Sequence, residues 1–206
     1  MANITKPDYT YENAYSGAVA GVDEAGRGPL AGPVVTAAVI LDVNNIPSGL
    51  NDSKKLSEKK REILFDKIMS CAQVGVGISE PEEIDRINIL AATLVAMRRA
   101  VLDLPSVPCA VLIDGNKCPD LNIPTEAIVK GDAKSLSIAA ASIIAKVTRD
   151  RLMVQADARF PGYGHSGHKG YPTKSHRQAL VDIGASPIHR RSYAPVRNVL
   201  TANASR

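Results

Sequence analysis

Apolar residues in this chain come in short runs set between polar, glycine- and proline-containing stretches, and their period changes along the sequence. Residues 18–22 and 34–41 are continuous apolar segments and read as strands. The loop between them is short, so they are expected to be antiparallel neighbours. Residues 73–79 alternate Val74, Val76 and Ile78 with small residues, the period of a half-buried strand. Two more short runs, 110–113 and 127–130, read as strands. Helical periodicity appears elsewhere. Residues 57–70 place Ser57 at an N-cap and Ile63, Leu64 and Ile68 on one face. Pro81 opens a helix, and residues 89–102 continue helical structure. Residues 133–160 form the longest helical pattern, stopped by Pro161-Gly162, and residues 174–183 form a further helix. Residues 44–53 read as a loop. No segment repeats, and none is of low complexity. Three early strands, followed by strands alternating with helices, predict an α/β fold: a mixed five-stranded sheet flanked by helices.

Composition narrows the picture in a few places. The 206 residues fit one domain, or one domain with a small appendage. There is no Trp and there are only two Phe, so the core must be built from Ala, Val, Ile and Leu. A formal charge of +4 and an isoelectric point near 9.0 allow a polyanionic partner without requiring one. Cys71, Cys109 and Cys118 are scattered with no Cys-x-x-Cys spacing, which predicts free thiols in a reducing compartment. Residues 1–17 are polar and lack the apolar stretch of a signal peptide, and no run approaches the length of a membrane span. The expectation is a soluble cytoplasmic protein with no membrane association.

The candidate chemistry lies at the strand ends. The run 18–22 stops at two adjacent carboxylates, Asp23 and Glu24, followed by the turn Gly26-Arg27-Gly28. The run 110–113 ends at Asp114, where an Asp-Gly turn is the plain alternative. Lys130-Gly131 leads into Asp132, which also fits a helix N-cap. Three strand ends finishing in carboxylates within one α/β chain point to a shared site, because strand ends meet there. Hard oxygen donors of this kind suit Mg²⁺, which takes few carboxylates and completes its shell with water and phosphate oxygens. Without cations, four carboxylates in one place would raise each other's pKa. Glycines beside Arg27 would let a phosphate or sugar come close to the backbone, and a Cβ at Gly28 would obstruct the sugar or strain the turn. Ser135, Ser142, Lys146 and Arg149 share one helix face, a polar stripe that ordinarily faces solvent. Lys54 and Lys146 are candidate phosphate contacts, with His189, Arg190 and Arg191 behind them. His165 and His168 stand three apart in a glycine-rich loop, a weak pattern for zinc. A dinucleotide-binding turn is excluded by Pro29-Leu30-Ala31, which supplies no third glycine at the required spacing. A nonenzymatic nucleic-acid-binding module would have no use for four acidic strand ends and would normally show stacking aromatics. A metal site beside a phosphate site suits phosphodiester chemistry, and one two-metal nuclease is separable from another on the same fold only by substrate.

Several ordered motifs together resemble one family. Val22-Asp23-Glu24-Ala25-Gly26-Arg27-Gly28-Pro29 is similar to the signature of ribonuclease HII, the type 2 ribonuclease H. Asp52-Ser53-Lys54-Lys55-Leu56, Leu112-Ile113-Asp114-Gly115, Lys130-Gly131-Asp132 and the helix 139–147 follow in the family's order. His168-Lys169-Gly170-Tyr171-Pro172-Thr173 and His189-Arg190-Arg191-Ser192-Tyr193 match its C-terminal part. The resemblance implies a ribonuclease H-like catalytic domain over residues 18–158. An N-terminal extension, 1–17, would precede it, and a helical substrate-binding appendage, 159–206, would follow. It implies a monomeric endonuclease acting on RNA–DNA hybrids and on single ribonucleotides embedded in duplex DNA. The cut would fall 5′ of the ribonucleotide, leaving a 3′-hydroxyl and a 5′-phosphate, with a role in removing ribonucleotides from DNA. Asp23, Glu24, Asp114 and Asp132 would be catalytic and hold one or two Mg²⁺ or Mn²⁺ ions. Gly26, Arg27 and Gly28 would read the 2′-OH from backbone groups. Tyr171 would pack on the deoxyribose that follows the ribonucleotide.

Overall fold

The strands pair into a single five-stranded sheet, seen in a computed structural model that describes residues 6–204. In chain order the strands are β1 (Val19–Ala25), β2 (Val34–Ile40), β3 (Gln73–Ser79), β4 (Ala110–Asp114) and β5 (Thr125–Ile128). Their order across the sheet is β3-β2-β1-β4-β5. β1 is central. It runs antiparallel to β2, as the short connection requires, and parallel to β4, which is parallel to β5. The helices are α1 (Glu58–Cys71), α2 (Pro81–Ile87), α3 (Ile89–Leu102), α4 (Leu136–Arg159), α5 (His165–His168), α6 (Lys174–Ile183) and α7 (Ala194–Ala204). Together they give the expected α/β architecture.

Two layers of helix cover the sheet. α4 lies across β1 and β2 on one face, with α1 beside it, and α3 covers β2 and β3 on the other. The α4 layer is built from Ala139, Ala140, Ala141, Ile143, Ile144 and Ala145 against Ala37, Val39, Leu64 and Ile68. The opposite layer joins Ala20, Val22, Val111 and Ile113 to Met97, Ala100 and Val101. Small residues set the spacing: a Cβ on Gly21 would lie 2.2 Å from the α4 backbone at Ser137 and Ile138. With no tryptophan to fill wider gaps, the core depends on this close approach of backbones.

Local sequence accounts for most boundaries. Ser57 caps α1 and Thr173 caps α6, each side chain accepting an amide of the first turn. Pro81 occupies the first turn of α2. Asn88, at φ 67°, separates α2 from α3 and accepts the amides of Leu90 and Ala91.

Five details depart from the sequence reading. β1 continues through Ala25, so Asp23 and Glu24 lie inside the strand rather than beyond it. α4 is capped by Ser135, whose Oγ accepts from the Ile138 amide; Asp132 instead sits in a 3-10 turn, Gly131–Ala133. The expected solvent-facing stripe of α4 is largely buried, with Ser135, Ser142 and Arg149 at 0%, 4% and 1% exposure. In β3 the more deeply buried face is that of Gly75 and Gly77, directly under α3, whereas Val74, Val76 and Ile78 are only partly buried. Lastly, the C-terminal segment, expected only as helical in outline, ends in a defined element, α7, which carries the polar tail to Ala204. It is held by Val196, buried with Leu30 and Leu180.

Candidate active site

Strand register brings the carboxylates together. Val22 pairs with Ile113 across the parallel β1–β4 ladder, which sets Asp23 beside Asp114. Asp114 in turn pairs with Ile128 of β5, three residues before the 3-10 turn that carries Asp132. The two-residue period of β1 sends Asp23 and Glu24 to opposite faces. Asp23, on the α4 side, accepts a hydrogen bond from Ser142, while Glu24 shares a cleft with Leu94 and Met97 of α3. Asp114 Oδ1 accepts the Gly131 amide at 2.6 Å, tying two strand ends together.

The electrostatics are those of crowded like charges. Burial pushes the Asp23 carboxyl well above the usual range, and the nearby Glu24 and Asp114 push it further. Glu24 is raised by burial, with Arg27 opposing from 3.6 Å. Asp132 is raised by burial and then by Asp114, with Lys54 opposing from 3.8 Å. A fifth carboxylate, Asp52, lies near Asp132 and raises it further, and also accepts the Lys54 amide. It lies in a matched motif, but only the fold shows that it faces the site. The donor set is oxygen alone and its members repel one another, which fits a hard divalent cation.

The glycine turn is built from behind by two buried arginines. Arg190 donates to the carbonyls of Gly26, Arg27, Pro29 and Gly32, and Arg149 donates to those of Ala31, Pro33 and Lys169. With those carbonyls aimed inward, the amides of Arg27 and Gly28 have no acceptor among the described residues. Arg149 and Arg190 are thus structural. Burial and the neighbouring Arg190 lower the Arg149 pKa to about 10. The positive φ of the turn belongs to Gly26, at 99°, and not to Gly28. A Cβ on Gly26 would lie 1.9 Å from Arg149 Nε, whereas one on Gly28 would lie an ordinary 3.7 Å from the Tyr171 ring.

One cleft of about 310 Å³ gathers seven of the predicted residues: Glu24, Gly26, Arg27, Gly28, Lys54, Lys146 and Tyr171. Ser53 and Ser142, bonded to each other at 2.8 Å, form its floor. Asp23 is bonded to that floor through Ser142, and Asp132 is joined to the cleft through Lys54. Lys146 is held by Asp150 at 2.7 Å. Tyr171 is 44% exposed, its ring facing Gly28 across the cleft. His189 and Arg190 are buried and do not reach this surface.

All four histidines of the chain lie together elsewhere, inside the C-terminal segment. Their hydrogen bonds fix the tautomers. His189 Nδ1 accepts from the Ser186 amide, so its Nε2–H faces His176 Nε2 at 3.0 Å. His176 donates from Nδ1 to Tyr171 O, and His168 donates from Nε2 to Tyr163 O while its Nδ1 accepts the Gly170 amide. His165 is buried with neither ring nitrogen bonded among the described residues. Ligand atoms of His165, His168 and His176 lie within 4.8 Å of one another. The His168 and His176 rings, however, stack at 4.3 Å and 14°, so their in-plane lone pairs cannot converge on one cation. This is a cluster of packed imidazoles joined by one ring-to-ring hydrogen bond, from His189 to His176.

Two expectations follow. Gly26→Ala should lose at least about 2 kcal/mol in denaturant unfolding, because the added methyl meets Arg149 in a left-handed turn. Gly28→Ala should stay within about 0.5 kcal/mol of wild type. Burial, reinforced by neighbouring imidazoles, lowers His165 to about 4 and His189 to about 3, from an ordinary 6.5. A folded pKa below the unfolded one means that the unfolded chain binds protons first. This contribution is therefore complete above about pH 7 and is lost as pH falls from about 6.5 towards about 4 for His165 and about 3 for His189, by up to about 1.4 kcal/mol per pH unit for each histidine. Melting of His165→Phe across pH 4–8 should show a shallower acid slope than wild type; an unchanged slope would remove His165 from the cluster's proton linkage.

Comparison with known proteins agrees with this geometry. The Ribonuclease HII family model matches residues 20–196. The chain is 63% identical over 188 residues to a ribonuclease HII of Maricaulis maris, covering 91% of this chain and 86% of that one. It is 58% identical over 199 residues to that of Paracoccus denitrificans, covering 94% and 95%. Among solved structures, ribonuclease H2 from Pyrococcus horikoshii superposes with a TM-score of 0.74 at 31% identity, over 91% of this chain and 99% of that one. With its carboxylates at the ends of β1 and β4 and just past β5, beside a glycine turn, the chain belongs to the ribonuclease HII family.

Proposed function

We propose that this ribonuclease H hydrolyses the phosphodiester on the 5′ side of ribonucleotides, in RNA–DNA hybrids and at single ribonucleotides embedded in duplex DNA. The observation that carries the reading is a repelling carboxylate array whose Glu24 lines the same cleft as the outward-facing turn amides and the exposed Tyr171. Asp23, Glu24, Asp114 and Asp132 are the residues that would hold a divalent ion, Mg²⁺ or Mn²⁺. Such an ion supplies Lewis acidity and a more acidic bound water when present. The Arg27 and Gly28 amides suit the 2′-OH, which accepts as well as donates and so distinguishes RNA from DNA. Arg27, Lys54 and Lys146 place three cationic side chains around the cleft for phosphate contacts. Tyr171 comes from the C-terminal segment, residues 159–206, which gives that segment a part in substrate binding.

Water, rather than the 2′-OH, is the nucleophile in this reading. Cyclisation through the 2′-OH needs a general base and acid, most often histidine. Here all four histidines pack together in the C-terminal segment, and none lines the cleft. Attack by water at phosphorus, with the 3′-oxygen leaving, gives a 3′-hydroxyl and a 5′-phosphate.

A labelled duplex carrying one ribonucleotide, incubated with and without Mg²⁺, should be cut once on the 5′ side of that ribonucleotide; products ending in 2′,3′-cyclic phosphate would overturn the mechanism. In the same assay Asp23→Asn should lose at least about 100-fold in turnover. Because ionised Asp23 is disfavoured by burial and by its neighbours, metal-free Asp23→Asn should melt no lower than wild type. An active Asp23→Asn protein would take Asp23 out of the ion-binding set.

Tyr171→Ala separates recognition from chemistry. The ring contact is worth about 1–3 kcal/mol if it stacks as aromatics do on nucleic acid. The loss should fall on the single-ribonucleotide duplex, where DNA follows the ribose, and much less on a continuous RNA–DNA hybrid. Equal losses on both would make Tyr171 a general contact.

A further inference from the structure

Glu12 is an acidic side chain buried to 2% exposure in a segment whose sequence gave no hint of structure. It sits in a 3-10 turn, Glu12–Ala14, packed against the start of α4. Its Oε1 accepts from Ser135 Oγ at 2.6 Å, from the Ser137 amide at 2.9 Å and from Ser137 Oγ. Its Oε2 is buried with no partner among the described residues. A buried carboxyl oxygen without a donor is costly, so the three bonds of its twin must outweigh that cost.

Those bonds complete a cap supplied from outside the helix. The first amides of a helix lack intrahelical acceptors. In α4, the Leu136 amide goes to Asp8 O, the Ser137 amide to Glu12 and the Ile138 amide to Ser135 Oγ. The Asp8 amide bonds back to Lys134 O. The capped segment runs directly into the candidate site. The amides of Lys134 and Ser135 both bond to Gly131 O, and the Gly131 amide holds Asp114 Oδ1. Asp132 lies between these anchors. A shift of the Ser135–Ser137 backbone would therefore move Asp132 and release the bond that orients Asp114.

We infer that Glu12 is a positioning residue for the carboxylate array, holding Asp132 and Asp114 in register with Asp23 through the α4 N-terminus. The inference rests on the proposal that these carboxylates bind a divalent ion. Its test uses the full chain and Mn²⁺ as the probe. Calorimetric titration of substrate-free protein with Mn²⁺ should show Glu12→Ala weakened about tenfold or more. Glu12→Gln should weaken less, since its amide oxygen still accepts. Hydrogen exchange in metal-free Glu12→Ala should be faster at residues 131–138 and unchanged across β2 and β3. In hybrid cleavage, kcat should fall at fixed Mn²⁺ and recover partly at higher Mn²⁺, with KM for the duplex little altered.

Asp132→Asn, measured alongside, separates the two readings. If Asp132→Asn loses Mn²⁺ affinity while both Glu12 variants keep it, Glu12 is a structural cap and the positioning role is wrong. If Asp132→Asn binds Mn²⁺ as wild type does, the ion-binding reading itself fails, and the inference falls with it. Should Glu12→Ala not fold, Glu12→Gln carries the same titration, and wild-type Mn²⁺ affinity with unchanged exchange at residues 131–138 overturns the role.

Discussion

Two guanidinium groups buried behind one loop hold the chemistry of this protein in place. Arg149 comes from the middle of α4 and Arg190 from the C-terminal segment, yet both donate to carbonyls of the β1–β2 connection. Neither has a buried carboxylate partner among the described residues, and burial lowers the pKa of both. What compensates is number: a guanidinium carries five N–H donors in a rigid fork, and Arg190 finds four carbonyls of the loop while Arg149 finds two, with Lys169 O as a third. Losing either side chain would strand several buried carbonyls, at roughly 1–3 kcal/mol each. The same bonds decide which way the peptides point. Carbonyls turned towards the arginines leave the Arg27 and Gly28 amides turned towards the cleft. Recognition and packing are therefore two faces of the same peptide groups.

The carboxylates depend on a different constraint, the register of parallel strands. β1, β4 and β5 finish at one edge of the sheet, so chemistry at their ends converges without any long connection. α4 links the two systems. Its Ser142 bonds Asp23 near one end, and its Arg149 holds the turn two helical turns later. The alanines between them let the helix lie close enough to the sheet for both contacts.

How much of this could be read from sequence depended on whether the signal was local. Strand ends, caps and the glycine turn carry short-range signatures, and Asp23, Glu24, Asp114 and Asp132 were visible as terminations of apolar runs. The burial of Arg149 was not, because a charge on a helix ordinarily faces solvent, and two of its three acceptors are carbonyls 116 and 118 residues away in sequence. Glu12 was hidden for the same reason: its donors are Ser135 and Ser137, and its own neighbourhood is polar. The histidines have unremarkable spacings and form a cluster only when α5, α6 and the loop before α7 fold over one another. α7 shows a weak apolar pattern and exists because Val196 finds Leu30 and Leu180. Tertiary contacts decide these elements, and propensity does not reach them.

The two titrating clusters pull stability in opposite directions, and this separates their roles. In the site, Asp23, Glu24 and Asp132 have folded pKa values above their unfolded ones, so protons favour the metal-free fold. In the C-terminal segment, His165, His176 and His189 have lowered values, so protons oppose it. The first group gains from any bound positive charge, as a proton or a divalent cation, and is poised to accept one. The second is stable only while neutral, since an added proton would turn an acceptor into a donor facing another donor. That segment carries both Tyr171 and Arg190, so the integrity of the imidazole cluster bears directly on the turn and on the ring opposite it. A cation-seeking site is in this way supported by a segment whose imidazole cluster is destabilised by added protons.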